Sequence, residues 1–347
     1  MCKNLTFAQS LVPMRHYNIP VFIPELACPN QCVYCNQQKI TGKDHFPDAG
    51  EADRIIERHL RTLPLTRRKV EIAFFGGNFT GIPLAMQREY LDTASRWMGK
   101  NMVDGIRLST RPDYISEEVI DMLQAFGVSC IELGAQSLDD EVLRLSGRGH
   151  TAADVEQAAR LILQSGIQLG LQMMIGLPGD TRQKSMQTAR KIADLGASQT
   201  RIYPTLVIRG TKLEKMMQKG HYKPLSIADA VDWCKELVCW FEENAVRILR
   251  LGLHPTEGLI TGSELVAGPF HPAMKELVET AIWKDIFEKN LVVGPGDSLH
   301  IFVGPGQLNA AIGHHAVNRK LLQKKCRSLR FAIDNQLEGR AFYVHYR

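Results

Sequence analysis

Pro24-Glu-Leu-Ala-Cys28-Pro-Asn-Gln-Cys32-Val-Tyr34-Cys35-Asn-Gln37 is the stretch on which the reading of this chain turns. It sets three thiols in a Cys-x3-Cys-x2-Cys pattern with no fourth cysteine or histidine close behind. A structural zinc site closes on four protein ligands. A [4Fe–4S] cluster usually takes four thiolates, one per iron. Three thiolates on such a cluster leave one iron open to a ligand that is not protein. Three readings follow: an open-cornered cluster on Cys28, Cys32 and Cys35, a zinc site completed by a distant ligand, or a group of reduced thiols.

Outward from this loop, short β-branched runs alternate with amphipathic stretches of helical length, the pattern of repeated βα units and a parallel sheet. Strands are predicted at Ile19–Ile23, Val70–Phe75, Gly105–Ser109, Ser129–Leu133, Gln168–Ile175 and Thr200–Pro204. Helices are predicted near Asp53–Leu63, Leu84–Met98, Glu117–Phe126, Ala152–Ser165 and Arg182–Leu195. Ser116, Thr151 and Thr181 offer helix starts, and Gly127 and Gly166 offer stops. The alternation predicts an α/β fold, an open (βα)6 partial TIM barrel. A further helix, Ile227–Asn244, leads into the apolar run Val246–Leu253, and His254–Pro272 reads as an irregular crossing. After Leu291 come a strand (Leu299–Val303), a Gly-Pro-Gly turn, a basic helix (Ala310–Lys325) and two strands (Ser328–Ile333, Ala341–His345). This is a small C-terminal α+β appendage. Two domains are expected, 1–272 and 273–347.

At 347 residues, with 44% hydrophobic and 23% charged side chains, the composition is that of a globular protein. No apolar run approaches the roughly 20 residues of a membrane span, so no membrane partner is expected. The start, Met1-Cys-Lys-Asn-Leu-Thr-Phe, lacks the layout of a secretory leader, and the eight cysteines form no disulfide framework. A reducing cytoplasmic setting is expected. The net charge of +5 resides entirely in residues 291–347. There Arg319, Lys320, Lys324 and Lys325 suit a phosphate backbone, although a solvated helix face is the ordinary reading of such a run. No aromatic stacking motif is legible beside them, so contact is expected to phosphate rather than base.

Polar and glycine motifs follow the predicted strands one after another, at the rim where βα barrels build their sites. They are Phe75-Gly76-Gly77-Asn78-Phe79-Thr80, Leu108-Ser109-Thr110-Arg111-Pro112-Asp113-Tyr114, Ile131-Glu132-Leu133-Gly134-Ala135-Gln136-Ser137, Ser146-Gly147-Arg148-Gly149-His150-Thr151 and Leu171-Gln172-Met173-Met174-Ile175-Gly176-Leu177-Pro178-Gly179. With the cysteine loop and Tyr34 before its last thiol, they resemble the radical-SAM superfamily. The nearest likeness is to the radical-SAM domain of the elongator-complex catalytic subunit, over residues 18 to 272. A more distant one is to oxygen-independent coproporphyrinogen oxidases.

The resemblance implies a [4Fe–4S] cluster on Cys28, Cys32 and Cys35 that chelates and reductively cleaves S-adenosylmethionine (SAM) to a 5′-deoxyadenosyl radical. It implies SAM contacts at Gly76, Gly77, Asn78, Gln136 and Arg148, beside Tyr34. Ser109 and Gln172 stand where relatives carry acidic residues, and Asn78 where Glu, Ser or Thr is common. A one-electron donor of flavodoxin or ferredoxin type is implied. RNA, as a tRNA base, is the implied substrate, with a small metabolite or a non-catalytic metal- or RNA-binding role as the alternatives. The acetyltransferase domain of the elongator subunit is not expected here. Arg201 and Tyr203 are further candidates, equally readable as a packed strand end, and His271 is another, read more readily as a structural loop histidine. Cys130, Cys234 and Cys239 read as core.

Overall fold

The computed structural model describes residues 15–23, 32–36 and 47–346. All six predicted strands form: β1 (Arg15–Ile23), β2 (Arg68–Gly76), β3 (Gly105–Thr110), β4 (Val128–Gln136), β5 (Gln168–Ile175) and β6 (Gln199–Pro204). Helices α1 (Ala49–Thr62), α2 (Leu84–Gly99), α3 (Glu117–Ala125), α4 (Asp140–Leu145), α5 (Ala152–Gln164) and α6 (Arg182–Asp194) connect them. The short strand β7 (Val207–Ile208), helices α7 (Lys212–Gln218) and α8 (Ile227–Glu243), and strand β8 (Arg247–Leu251) follow. The main sheet runs β1-β2-β3-β4-β5-β6-β8. The alternation therefore gives the expected α/β partial barrel with one strand more than predicted, because the apolar run after α8 pairs in parallel with β6.

Among the described residues, one compact unit comprises 15–23, 47–134 and 153–170, and a second comprises 32–36, 135–152 and 171–346. In the first, β1 pairs with β2, β2 with β3 and β3 with β4, all parallel. Strand β3 is buried along its whole length, as an inner strand covered on both faces must be. Its charged residue, Arg107, is 1% exposed and donates to Glu71 at 3.0 Å and to Glu132 at 2.9 Å, carboxylates as buried as itself. Helix starts are fixed by short polar side chains. Asp48 and Glu51 form a capping box on α1, and Ser116 accepts from Val119 N–H at the head of α3. Gly127 and Gly166 take left-handed backbone where α3 and α5 end.

In the second unit, Thr181 caps α6, and Ser226 with Asp229 caps α8. The crossing segment holds helix α9 (Glu257–Ile260) and strand β9 (Leu265–Ala267), which pairs antiparallel with β7. Then come α10 (Met274–Asn290), β10 (Ser298–Val303), α11 (Leu308–Ile312), α12 (Val317–Gln323), β11 (Ser328–Ile333) and β12 (Phe342–Tyr346). β10 is central, parallel to β11 and antiparallel to β12. Trp283, Phe287, Leu299, Ile301, Val303, Leu322 and Leu329 form its core.

The predicted helix Ala310–Lys325 is two helices. Gly313, His315 and Ala316 all have left-handed φ, at +86°, +51° and +57°. The break brings His314 N–H to the Thr280 hydroxyl at 2.8 Å and the Asn318 amide to the Thr280 carbonyl at 3.0 Å. Helix α10 escapes the sequence reading because it packs against both α8 and this core and so shows no single apolar stripe.

Candidate functional site

Cys28 lies outside the described residues, and Cys32 and Cys35 lie within them. Cys32 is buried and Cys35 half-buried on a tight turn in which Cys35 N–H reaches the Cys32 carbonyl at 3.0 Å. Of the two residues between them, Val33 is held by backbone at both ends and packs its side chain against the cluster that holds Cys32 and Tyr34. Val33 N–H donates to the Ser146 carbonyl at 3.0 Å, and Leu213 N–H donates to the Val33 carbonyl at 2.7 Å. Ser146 stands just past α4 and Leu213 lies in the first turn of α7, so both anchors hang from helices. Tyr34 is buried with Cys32, Val142, Leu177, Leu213 and Tyr222. Burial pushes its phenol up, and the Arg148 charge pulls the other way.

Arg148 stands between Gly147 and Gly149, whose left-handed φ values of +66° and +78° let the chain double back. The side chain is buried, and one guanidinium N–H points at the Cys32 sulfur, 3.4 Å away. His150 Nε2 donates to the Ala135 carbonyl at 3.2 Å, tying this loop to the end of β4. There Gln136 closes the strand at φ +67°, strained for a residue with a side chain. Its Oε1 is buried with no hydrogen-bond partner among the described residues. Gln172 is half-buried on β5.

The Gly176-Leu-Pro-Gly179 turn is set by two residues that the sequence did not single out. Asp180 accepts from Gly176 N–H and from the Ser185 hydroxyl, both at 2.8 Å, and Tyr222 OH donates to the Gly176 carbonyl at 2.6 Å. Burial pushes the Asp180 carboxyl up to about 6 against those donors. An aspartate four residues after the first glycine of the turn was the available signal.

In the first unit, Gly76 has φ +138°, and a Cβ there would lie 1.7 Å from the Ile23 carbonyl oxygen. Gly77 N–H donates to that same oxygen at 3.3 Å. Asn78 is buried, its carbonyl accepting from the Thr110 hydroxyl at 2.7 Å and from Arg111 N–H at 3.2 Å. Its amide therefore splices the end of β2 to the end of β3. Ser109 is buried on β3. Arg111 grips Asp113 with two bonds of 2.9 and 2.8 Å, which assigns the Arg-Pro-Asp motif a local structural use.

Arg201 and Tyr203 are half-buried on β6. His271 accepts from Ala273 N–H at 3.1 Å and meets the His314 ring edge-on. Cys130 and Cys234 are fully buried, and burial pushes the Cys234 thiol up to about 12, so it is inert. The described residues gather no group of three or more His, Cys, Asp or Glu, since one of the three loop cysteines lies outside them. What they do supply fits an iron–sulfur cluster with SAM. The thiols of Cys32 and Cys35 are soft donors, Arg148 offers a guanidinium beside one of them, and Gln136 holds an unsatisfied buried acceptor. No helix among the described residues is long and apolar enough to cross a membrane.

Residues 23–192 match the model of the radical SAM superfamily, and residues 197–284 match that of the radical SAM C-terminal domain. An uncharacterized protein of Methanocaldococcus jannaschii is 29% identical over 228 residues, covering 65% of this chain and 66% of that protein. A tRNA uridine(34) acetyltransferase of Dehalococcoides mccartyi is 26% identical over 59% of this chain and 52% of its own length. Elongator complex protein 3 of Saccharomyces cerevisiae is 28% identical over 58% of this chain and 43% of its own length. The chain thus spans two thirds or less of the relatives it matches. The solved structure of the archaeal Methanocaldococcus infernus Elp3, with an N-terminal deletion, superposes with a TM-score of 0.60 at 23% identity. It covers 80% of this chain and 63% of that one, a likeness of fold.

Proposed function

This chain belongs to the radical SAM superfamily and is an enzyme of that class, and from that premise we propose that it cleaves SAM reductively and modifies RNA, most specifically a base of tRNA. The observation that carries the reading is the Arg148 guanidinium at the Cys32 sulfur, inside a turn that presents Cys32 and Cys35 together. Cys28, Cys32 and Cys35 would hold a [4Fe–4S] cluster, which would supply the electron for reductive cleavage of SAM to a 5′-deoxyadenosyl radical.

The chain's own residues do the remaining work in this proposal. Arg148 is the planar cation for a carboxylate and balances thiolate charge at Cys32. Gly76 and Gly77 offer bare backbone to an amino group, with Asn78 bracing the turn that carries them. Gln136 offers its unsatisfied carbonyl to an N–H or O–H donor. Tyr34 walls the cysteine turn off from water. Ser109 and Gln172, both neutral, are assigned hydrogen bonds to the sugar or base of SAM.

We assign residues 1–272 to the barrel with its extension and 273–347 to a small basic domain that meets RNA through Arg319, Lys320, Lys324 and Lys325. A flavodoxin- or ferredoxin-type protein is the proposed electron donor, in a reducing cytoplasm. The tRNA relatives and the exposed basic side chains support RNA over a small metabolite.

Anaerobic reconstitution with iron and sulfide, then dithionite and SAM, is expected to release 5′-deoxyadenosine. Mass spectrometry of nucleosides from total tRNA of cells with and without the protein is expected to differ in one modified base. No deoxyadenosine from a fully reconstituted cluster sinks the first half of the proposal, and unchanged nucleosides sink the second.

A further inference from the structure

A cavity of about 320 Å³ opens between α10 and α12, at the lower end of the roughly 300–1,000 Å³ of ligand pockets. Phe287, Val292 and Leu321 give it apolar walls, and Lys325 stands at its edge. Lys284 is there too, 3.7 Å from Glu288. Val292 is 89% and Leu321 39% exposed, so the walls open to solvent. Asn318 also lines the cavity and is only 2% exposed. Its Nδ2 donates to the Thr280 carbonyl at 3.0 Å, which fixes the orientation of the amide. Its Oδ1 accepts from nothing among the described residues. Buried acceptors are nearly always satisfied, so an orphan on a residue of the cavity wall is a second sign of a ligand there, whose N–H reaches the oxygen once the wall gives, since the oxygen itself is closed to solvent.

The same helix is entered through the turn Gly313-His314-His315-Ala316. Helices α11 and α12 flank that turn, and the parallel strands β10 and β11 flank the helices. KH modules clamp four backbone nucleotides with a Gly-x-x-Gly loop. Here Ala316 occupies the place of the second glycine and keeps a left-handed backbone, φ +57°, that alanine adopts only under constraint. Beyond the turn, Arg319, Lys320, Lys324 and Lys325 are exposed, in the segment that carries all of the chain's net charge of +5.

We infer that this module binds an unpaired stretch of RNA, seating one base in the cavity against Asn318 and leading its backbone past residues 313–316 and the lysines of α12. The choice of RNA as ligand rests on the function proposed above. The preference for a single strand comes from the site itself. The apolar walls take the face of a base, which stacking in a duplex covers.

The test is fluorescence anisotropy of the full chain with a labelled RNA of about eight nucleotides and with its duplex, in the absence of SAM and reductant. Binding is thus read separately from deoxyadenosine release, and either can fail alone. The single strand is expected to bind roughly tenfold or more tightly than the duplex. Leu321→Glu and Val292→Glu, both at solvent-facing walls, are expected to remove that preference. Lys325→Glu is expected to weaken binding and lower its salt slope by about one. Hydrogen exchange is expected to slow at residues 313–325 when the octamer is added. Equal binding to both RNAs, or tight single-strand binding that neither wall variant alters, overturns the inference. So does protection confined to other segments, or a cavity filled by peptide in preference to RNA. Should Leu321→Glu fail to fold, Val292→Glu still decides.

Discussion

Arg148 holds a guanidinium N–H 3.4 Å from the sulfur of Cys32, a residue 116 positions earlier in the chain. A planar cation beside a thiolate offsets its charge, and its forked geometry suits a carboxylate. Arg148→Met is therefore expected to keep its iron on reconstitution while 5′-deoxyadenosine release falls roughly 10- to 100-fold. Arg148→Lys, which keeps charge without the fork, is expected to fall between. Iron content measured alongside deoxyadenosine decides. Loss of iron in step with activity would mean that the residue only shapes the cysteine turn.

Arg107 joins Glu71 and Glu132 in a buried triad. Removing the cation takes the shared guanidinium from two carboxylates that are each 1% exposed, so Arg107→Met is expected to cost roughly 3–5 kcal/mol. Denaturant melts of the full chain measure it. A loss below about 1 kcal/mol, the range of surface pairs, would refute the role assigned to the triad.

Burial opposes charge on Glu71, yet the hydrogen bond from His16, the Arg107 charge and the Ser129 hydroxyl hold its carboxyl at about 2. The folded state therefore binds this proton later than the unfolded chain does. The stabilisation is fully present above pH 4.5, the ordinary value for Glu71, and is lost as pH falls to about 2. It is expected to amount to ~3 kcal/mol. Glu71→Gln is expected to flatten the acid limb of a stability profile across that window. Superimposable limbs for the two proteins would exclude it.

At Gly76 a methyl group would strike the Ile23 carbonyl at 1.7 Å, whereas a Cβ at Gly99, near the end of α2, meets nothing within 4 Å. Gly76→Ala is expected to lose more than about 4 kcal/mol or fail to fold, and Gly99→Ala to gain about 0.5–1 kcal/mol. Thermal melts compare the pair, and equal effects would show that close strand approach at Gly76 is unimportant.

The barrel was legible because each strand reads as a local apolar run and several helices carry a cap or a stop, as at Ser116, Thr181, Gly127 and Gly166. The cysteine loop was legible because its ligands are close in sequence. Other features depend on what folding brings together. Tyr222 meets Gly176, 46 positions earlier, only through tertiary structure. No stacking motif is readable along the tail, yet strand pairing sets His300 and Phe302 beside Tyr343 and His345, with Phe302 and Tyr343 stacked at 4.7 Å. The basic helix was read through its charges, and the left-handed turn at 313–316 that divides it is enforced by contact with Thr280 on another helix.

Val33 is moored through its backbone N–H and carbonyl, by bonds to Ser146 and Leu213, while its side chain packs against the cluster that holds Cys32 and Tyr34. Position 33 can therefore drift among side chains of similar bulk without displacing the thiols on either side. A one-residue deletion or insertion near 146 or 213 would shift a mooring by a whole step of chain and carry the cysteines with it. Descendants of this sequence should vary at position 33 among side chains of like bulk while conserving loop length at those two distant places.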